Sequence, residues 1–133
     1  MLVLYKPLVF LTIFFKIRQN NIKILEGKIM SILLDLAMFP TDKGESVSKY
    51  VSKVIKVIKE SGYPYVLTPM GTIIEFETFE EATDLLNKCY KILEPLSNRI
   101  YVVCKFDIRK GKSNRIKQKI ESVKKHIGEV SSL

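Results

Sequence analysis

A chain of 133 residues, 47% apolar and 27% charged, fits one ordered domain with a modest core. A single histidine, His126, excludes a histidine-based metal site or catalytic triad. The two cysteines, Cys89 and Cys104, are far apart, match no metal or redox spacing, and read as buried free thiols of a cytoplasmic protein.

The net charge of +8 is unevenly placed. Residues 1–29 carry five basic side chains against Glu26, and much of the remaining excess lies in Arg109, Lys110, Lys112, Arg115, Lys117, Lys119, Lys124 and Lys125. A basic tail of this kind reads first as a solvated helix face and only second as a phosphate or nucleic-acid surface.

The chain opens on an apolar stretch, Leu2–Phe15, broken by Lys6 and Pro7. It falls short of the roughly 20 residues that span a bilayer and has no small-residue cleavage site. Residues 1–29 are therefore expected to be an extension placed upstream of a true start at Met30. No membrane segment is expected in residues 30–133.

From Met30 to Phe39 apolar residues alternate, which predicts a strand: Met30, Ile32, Leu34, Leu36 and Met38 share one face. Pro40–Glu45 is loop. Val47, Tyr50, Val51, Val54, Ile55 and Ile58 then follow helical spacing, with Gly62 as the stop. Tyr65–Thr68 and Thr72–Glu77 predict a hairpin closed at Pro69-Met70-Gly71, where proline presets φ and glycine is free to take φ > 0. This turn is expected to gather Thr68, Thr72 and Glu75. Thr78-Phe-Glu-Glu81 is a capping box opening a helix that Pro95 limits. Arg99–Arg109 alternates again, and Ser113 is expected to cap a last helix carrying Ile116, Ile120, Val123 and Ile127.

The order β-α-β-β-α-β plus a C-terminal helix predicts an α+β, ferredoxin-like fold: an antiparallel sheet with two helices on one face. The other face would hold Leu33, Asp35, Ala37, Ile73, Glu75, Tyr101, Val103 and Lys105. It is too apolar for free solvent, so self-association through sheet faces and edges, as dimer or tetramer, is expected. An RNA-binding module shares this strand order but carries aromatics where Leu33, Asp35, Val103 and Lys105 stand, so nucleic acid is not an expected partner. Asp35 and Glu75, with Phe39, Tyr50 and Tyr101, suggest either a pocket for a flat cation or a structural charge network in an interface. No nucleophile–base pair, phosphate loop or metal cluster is visible, so no catalytic residue and no metal is expected.

Ser31–Phe39, Ser46-Val-Ser-Lys-Tyr-Val51 and above all Thr68-Pro-Met-Gly-Thr72 with Glu75 resemble the thiamine-binding protein family. The resemblance spans about residues 30–127. It implies a non-enzymatic, oligomeric protein that binds thiamine or a thiamine-like pyrimidine near a subunit interface. It places Glu75, Thr72, Thr68, Ser48 and Tyr50 in the family's motif regions, and Asp35 joins them from the patterning. No cofactor is implied. The alternative is a structural or regulatory oligomer without a small ligand.

Overall fold

The central strand is β1, Met30–Pro40, hydrogen-bonded along both edges. In a computed structural model, which describes residues 9–19 and 29–133, four antiparallel strands stand in the order β2-β3-β1-β4. Their ranges are β2 Tyr65–Thr68, β3 Gly71–Phe76 and β4 Ile100–Lys110. Residues 9–19 are helical (α1), followed by α2 Ser48–Ser61, α3 Phe79–Leu93 and α4 Arg115–Ile127. This is the expected ferredoxin-like α+β arrangement. The remainder of the 1–29 leader, residues 1–8 and 20–28, lies outside the described residues, and with it the expectation of a start at Met30. Among those described, no helix is long and apolar enough to cross a membrane.

Alternation along β1 divides the molecule. Ile32, Leu34, Leu36 and Met38 join Ile74 and Phe76 of β3 in a core closed by Val54 and Ile58 of α2 and by Ala82, Leu85, Cys89 and Leu93 of α3. Both helices pack on this face because each presents one apolar stripe to it. α2 ends at Gly62, whose φ of 79° turns the chain out of the helix. α3 starts with the predicted capping box, Thr78 accepting from the Glu81 N–H at 3.2 Å while Glu81 accepts from the Thr78 N–H at 3.2 Å. Burial within this core pushes the Cys89 thiol up to about 11, an inert packing group. Cys104, on edge strand β4, is only half-buried.

The hairpin β2–β3 turns on Pro69 and Met70, with Thr68 paired to Gly71. The Thr68 hydroxyl accepts from the Gly71 N–H at 3.1 Å and donates to the Gly71 carbonyl at 2.8 Å. Gly71 does not use the positive φ foreseen for it. Its role is close approach: a Cβ there would stand 2.7 Å from Asp35 Oδ1 and 3.2 Å from the Leu36 carbonyl oxygen.

The opposite face of the sheet carries α4, and its attachment is electrostatic. Glu75 lies across from Leu33 on that face, only 8% exposed. Its carboxylate accepts from the Arg115 N–H at 2.9 Å, the Ile116 N–H at 3.3 Å and the Ser31 hydroxyl at 2.7 Å. A carboxylate at a helix N-terminus satisfies orphan amides and opposes the positive end of the helix dipole. Ser113 is not the cap that its sequence position suggests. Asn114 holds the N-cap position at φ 53° without a side-chain bond, and Glu75, distant in sequence, serves instead. Arg115 is buried beside it, its guanidinium donating to the Asp107 carbonyl at 3.1 Å and pairing with the Asp107 carboxylate. Lys119 reaches the same carboxylate at 2.6 Å.

Gly71→Ala is expected to cost about 1–3 kcal/mol through overpacking. Asp35→Ala should recover only part of that in the double variant, since the Leu36 carbonyl cannot withdraw as a side chain can; urea denaturation of the four proteins measures it. Glu75→Gln should cost about 1–3 kcal/mol by weakening charge-assisted bonds to the α4 amides. An unchanged urea midpoint would remove Glu75 from the docking of α4. Hydrogen bonds from Lys119 and then Arg115 hold the Asp107 carboxyl below its usual range. A carboxyl depressed by folding stabilises above its unfolded pKa, and that contribution disappears as pH falls through the folded value. Protection of the α4 amides, taken relative to their intrinsic exchange rates, should therefore fall on acidification below about pH 4, and Asp107→Asn should abolish that step.

Candidate functional site

A cavity of about 280 Å³ opens between the first turns of α2, the C-terminal half of β1 and the β2–β3 hairpin. Val47, Val51 and Ile55 line it from the helix side, Met38 from β1, and Leu67, Met70 and Thr72 from the hairpin. The loop after β1 delivers Val47 in a fixed place. Thr41 N–H donates to the Arg99 carbonyl at 2.8 Å, and the Asp42 carboxylate accepts from Ser97 Oγ at 2.5 Å and from the Asn98 N–H at 2.9 Å. These bonds, the Ser97 one first, lower the Asp42 carboxyl from its ordinary value. The Val47 carbonyl then accepts from the Tyr50 and Val51 amides, both at 2.9 Å, and starts α2.

Thr72 is the polar side chain set deepest in this wall. It pairs with Leu36 on the core side of the sheet and is 2% exposed. Its hydroxyl is not enclosed without a partner: no buried side-chain nitrogen or oxygen among the described residues lacks one. Thr68, at the cavity's edge, is committed to its own turn, donating to the Gly71 carbonyl and accepting from the Met70 and Gly71 amides.

The six residues singled out from the sequence do not form one pocket. Thr72 and Thr68 line the cavity. Glu75, expected beside them, lies on the other face, because it is an odd number of positions from Thr72 along one strand. Its oxygens are taken up by Ser31 and α4. Asp35 also faces outward, 3.0 Å from Lys105 Nζ on the paired strand. Ser48 is exposed at the first residue of α2, its carbonyl accepting from Ser52 Oγ at 2.7 Å, and is not part of the cavity lining. Tyr50 packs half-buried against the core rather than joining an aromatic cage. Phe39 and Tyr101 stack on each other with ring centroids 5.6 Å apart. The residues missed as site candidates are apolar: Met38, Val47, Val51, Leu67 and Met70. The helical spacing of Val47, Val51 and Ile55 was the available signal, although it reads equally as core.

A second concavity, about 570 Å³, lies on the outer face between the sheet and α4, with Leu33, Ile73, Ile116 and Ile120 in its walls and the Asp35–Lys105 pair at its rim. Among the described residues no cluster of His, Cys, Asp or Glu could hold a metal ion.

The sequence pattern of the thiamine-binding protein family matches residues 34–124. A UPF0045 protein of Mycobacterium bovis is 29% identical over 98 residues, covering 74% of this chain and 96% of that protein. The UPF0045 protein YqgV of Bacillus subtilis is 37% identical over 90 residues, covering 62% and 83%. Among solved structures, a hypothetical protein of Methanocaldococcus jannaschii is 29% identical and superposes with a TM-score of 0.64 over 70% of this chain and 95% of its own. A Thermotoga maritima protein provisionally assigned to thiamine biosynthesis or salvage shares the fold at 22% identity, with a TM-score of 0.61 over 70% of this chain and 98% of its own. With its strand order, its hairpin and its matched span in agreement, the chain belongs to the thiamine-binding protein family.

Proposed function

We propose that this protein is a non-catalytic binding protein for thiamine or a thiamine-like pyrimidine, and that the heterocyclic ring enters the cavity between α2 and the β2–β3 hairpin. The observation that carries this reading is the apolar cavity itself, whose most deeply set polar side chain is Thr72. A hydroxyl at the base of an apolar cavity can exchange one hydrogen bond with a ligand, worth about 0.5–1.5 kcal/mol net. A pyrimidine offers both ring-nitrogen acceptors and amino donors, and a threonine hydroxyl can serve either. The volume of about 280 Å³ falls just below the roughly 300–1,000 Å³ typical of ligand sites. That suits one ring more than the whole of thiamine. No charged side chain lines the cavity, so the cationic half of thiamine would stay at its mouth.

The family membership and the thiamine-related assignment of the Thermotoga relative support the same ligand class. We place the protein in the cytoplasm as a self-associating oligomer. β4 is an edge strand of 11 residues with Tyr101, Val102, Val103, Phe106 and Ile108 exposed, the type of edge that natural proteins cover. A second reading, an oligomer without a small ligand, is favoured by the outward carboxylates: Asp35 and Glu75 are both engaged within the chain.

Thr72→Val keeps the shape and removes the hydroxyl. Calorimetry should show its affinity for thiamine or its pyrimidine falling about tenfold. Its melting point should change little, since the side chain keeps its shape. No heat from the unmutated protein at millimolar ligand would leave only the second reading. Light scattering should give a mass well above the 15.3 kDa of one chain, and Val103→Lys should lower it by placing an unpaired charge in the contact. A clean monomer at micromolar concentration would end the oligomer proposal.

A further inference from the structure

At the end of the sheet remote from the Thr72 cavity, α4 and β4 enclose a concavity of about 510 Å³. Its walls are almost entirely hydrogen-bond donors. Asp107 and Arg109 stand two residues apart on the outer face of β4, across from Leu33 and Ser31. Facing them from α4 are Arg115, Gln118, Lys119 and Ser122, the i, i+3, i+4, i+7 stripe of one helix face. Lys112, just beyond the positive-φ turn at Gly111, closes the end.

The charges in this concavity do not balance. Four cations line it against one carboxylate, and that carboxylate is already shared by Arg115 and Lys119. Neither Arg109 nor Lys112 has an acidic partner among the described residues. Packing for stability alone would favour an acid or an apolar residue opposite Arg109, since like charges across a contact repel. The helix dipole is not the source of the positive field, because Glu75 already occupies the first amides of α4. What remains is a set of side-chain donors on three sides: two guanidinium groups, two ammonium groups, an amide and a hydroxyl. Arginine binds phosphoryl oxygens in a bidentate fork and lysine as a point charge.

We propose that this concavity binds the phosphoryl group of a small soluble molecule. The site is separate from the Thr72 cavity and does not depend on what that cavity holds. The test is calorimetric titration of the full chain with inorganic phosphate at low ionic strength. Saturable binding that weakens with added salt is expected, because oppositely charged exposed groups are screened. The double variant Arg109→Gln, Lys112→Gln should bind at least about tenfold more weakly, with its melting point in phosphate-free buffer unchanged. Lys125→Gln, on α4 but outside the concavity, and Thr72→Val should both bind as the unmutated protein does. The proposal is overturned if no saturable heat is seen up to about 20 mM phosphate, or if Lys125→Gln weakens binding as much as the double variant, which would indicate diffuse surface charge. Binding to phosphatidylglycerol vesicles with none to soluble phosphate would likewise overturn it in favour of a lipid surface.

Discussion

The register of β3 against β1 is the constraint on which the remaining features depend. Leu36 opposes Thr72, and Leu33 opposes Glu75. Because side chains alternate along a strand, this pairing puts Thr72 inward with the core and Glu75 outward, and a slip of one residue would exchange them. A buried carboxylate would then face Ile74's neighbours in the core, and the amides of α4 would meet a hydroxyl. Gly71 favours this register, since β3 enters the sheet so close to Asp35 and Leu36 that a Cβ there would displace the Asp35 carboxylate and crowd the Leu36 carbonyl. The tight hairpin that Thr68 fastens sets the start of β3 and therefore its register.

From that register follow two chemically different faces. The inner face is closed by α2 and α3 through apolar contact, and the Thr72 cavity opens in it beside the Pro69-Met70 turn. The outer face holds α4 by few contacts of high individual strength: Glu75 to two amides, and Arg115 and Lys119 to Asp107. The large apolar side chains farther along α4 are left exposed, Val123 at 48% and Ile127 at 71%. α4 is therefore fixed at its N-terminal end and weakly held at the other. A motif that looks like one site in the sequence, threonines and a glutamate seven residues apart at most, is divided between the cavity and the docking of α4 by the thickness of the sheet.

Much of the fold could be read from local patterns, and the reason is physical. The capping box of Thr78 and Glu81, the stop at Gly62 and the alternation of β1 and β4 all involve groups a few residues apart, so the chain's own stereochemistry sets them. The order of these elements then permits few packings, and the split βαβ arrangement is one of them. The hairpin's importance was also legible, from Thr68 to Thr72.

What the sequence by itself determined is the set of elements, their apolar faces and the family they belong to. Tertiary structure decided what each polar residue does. Glu75 reads as a free carboxylate until residues 40 positions away place the N-terminus of α4 on it. Ser113 reads as a cap until Asn114 takes the left-handed turn and Glu75 supplies the acceptor. Thr72 reads as gathered with Thr68 and Glu75 until pairing with β1 sets it on the core side, away from Glu75. In each case the deciding energy comes from desolvating a polar group, which depends on what surrounds it in three dimensions and not on its neighbours in the chain.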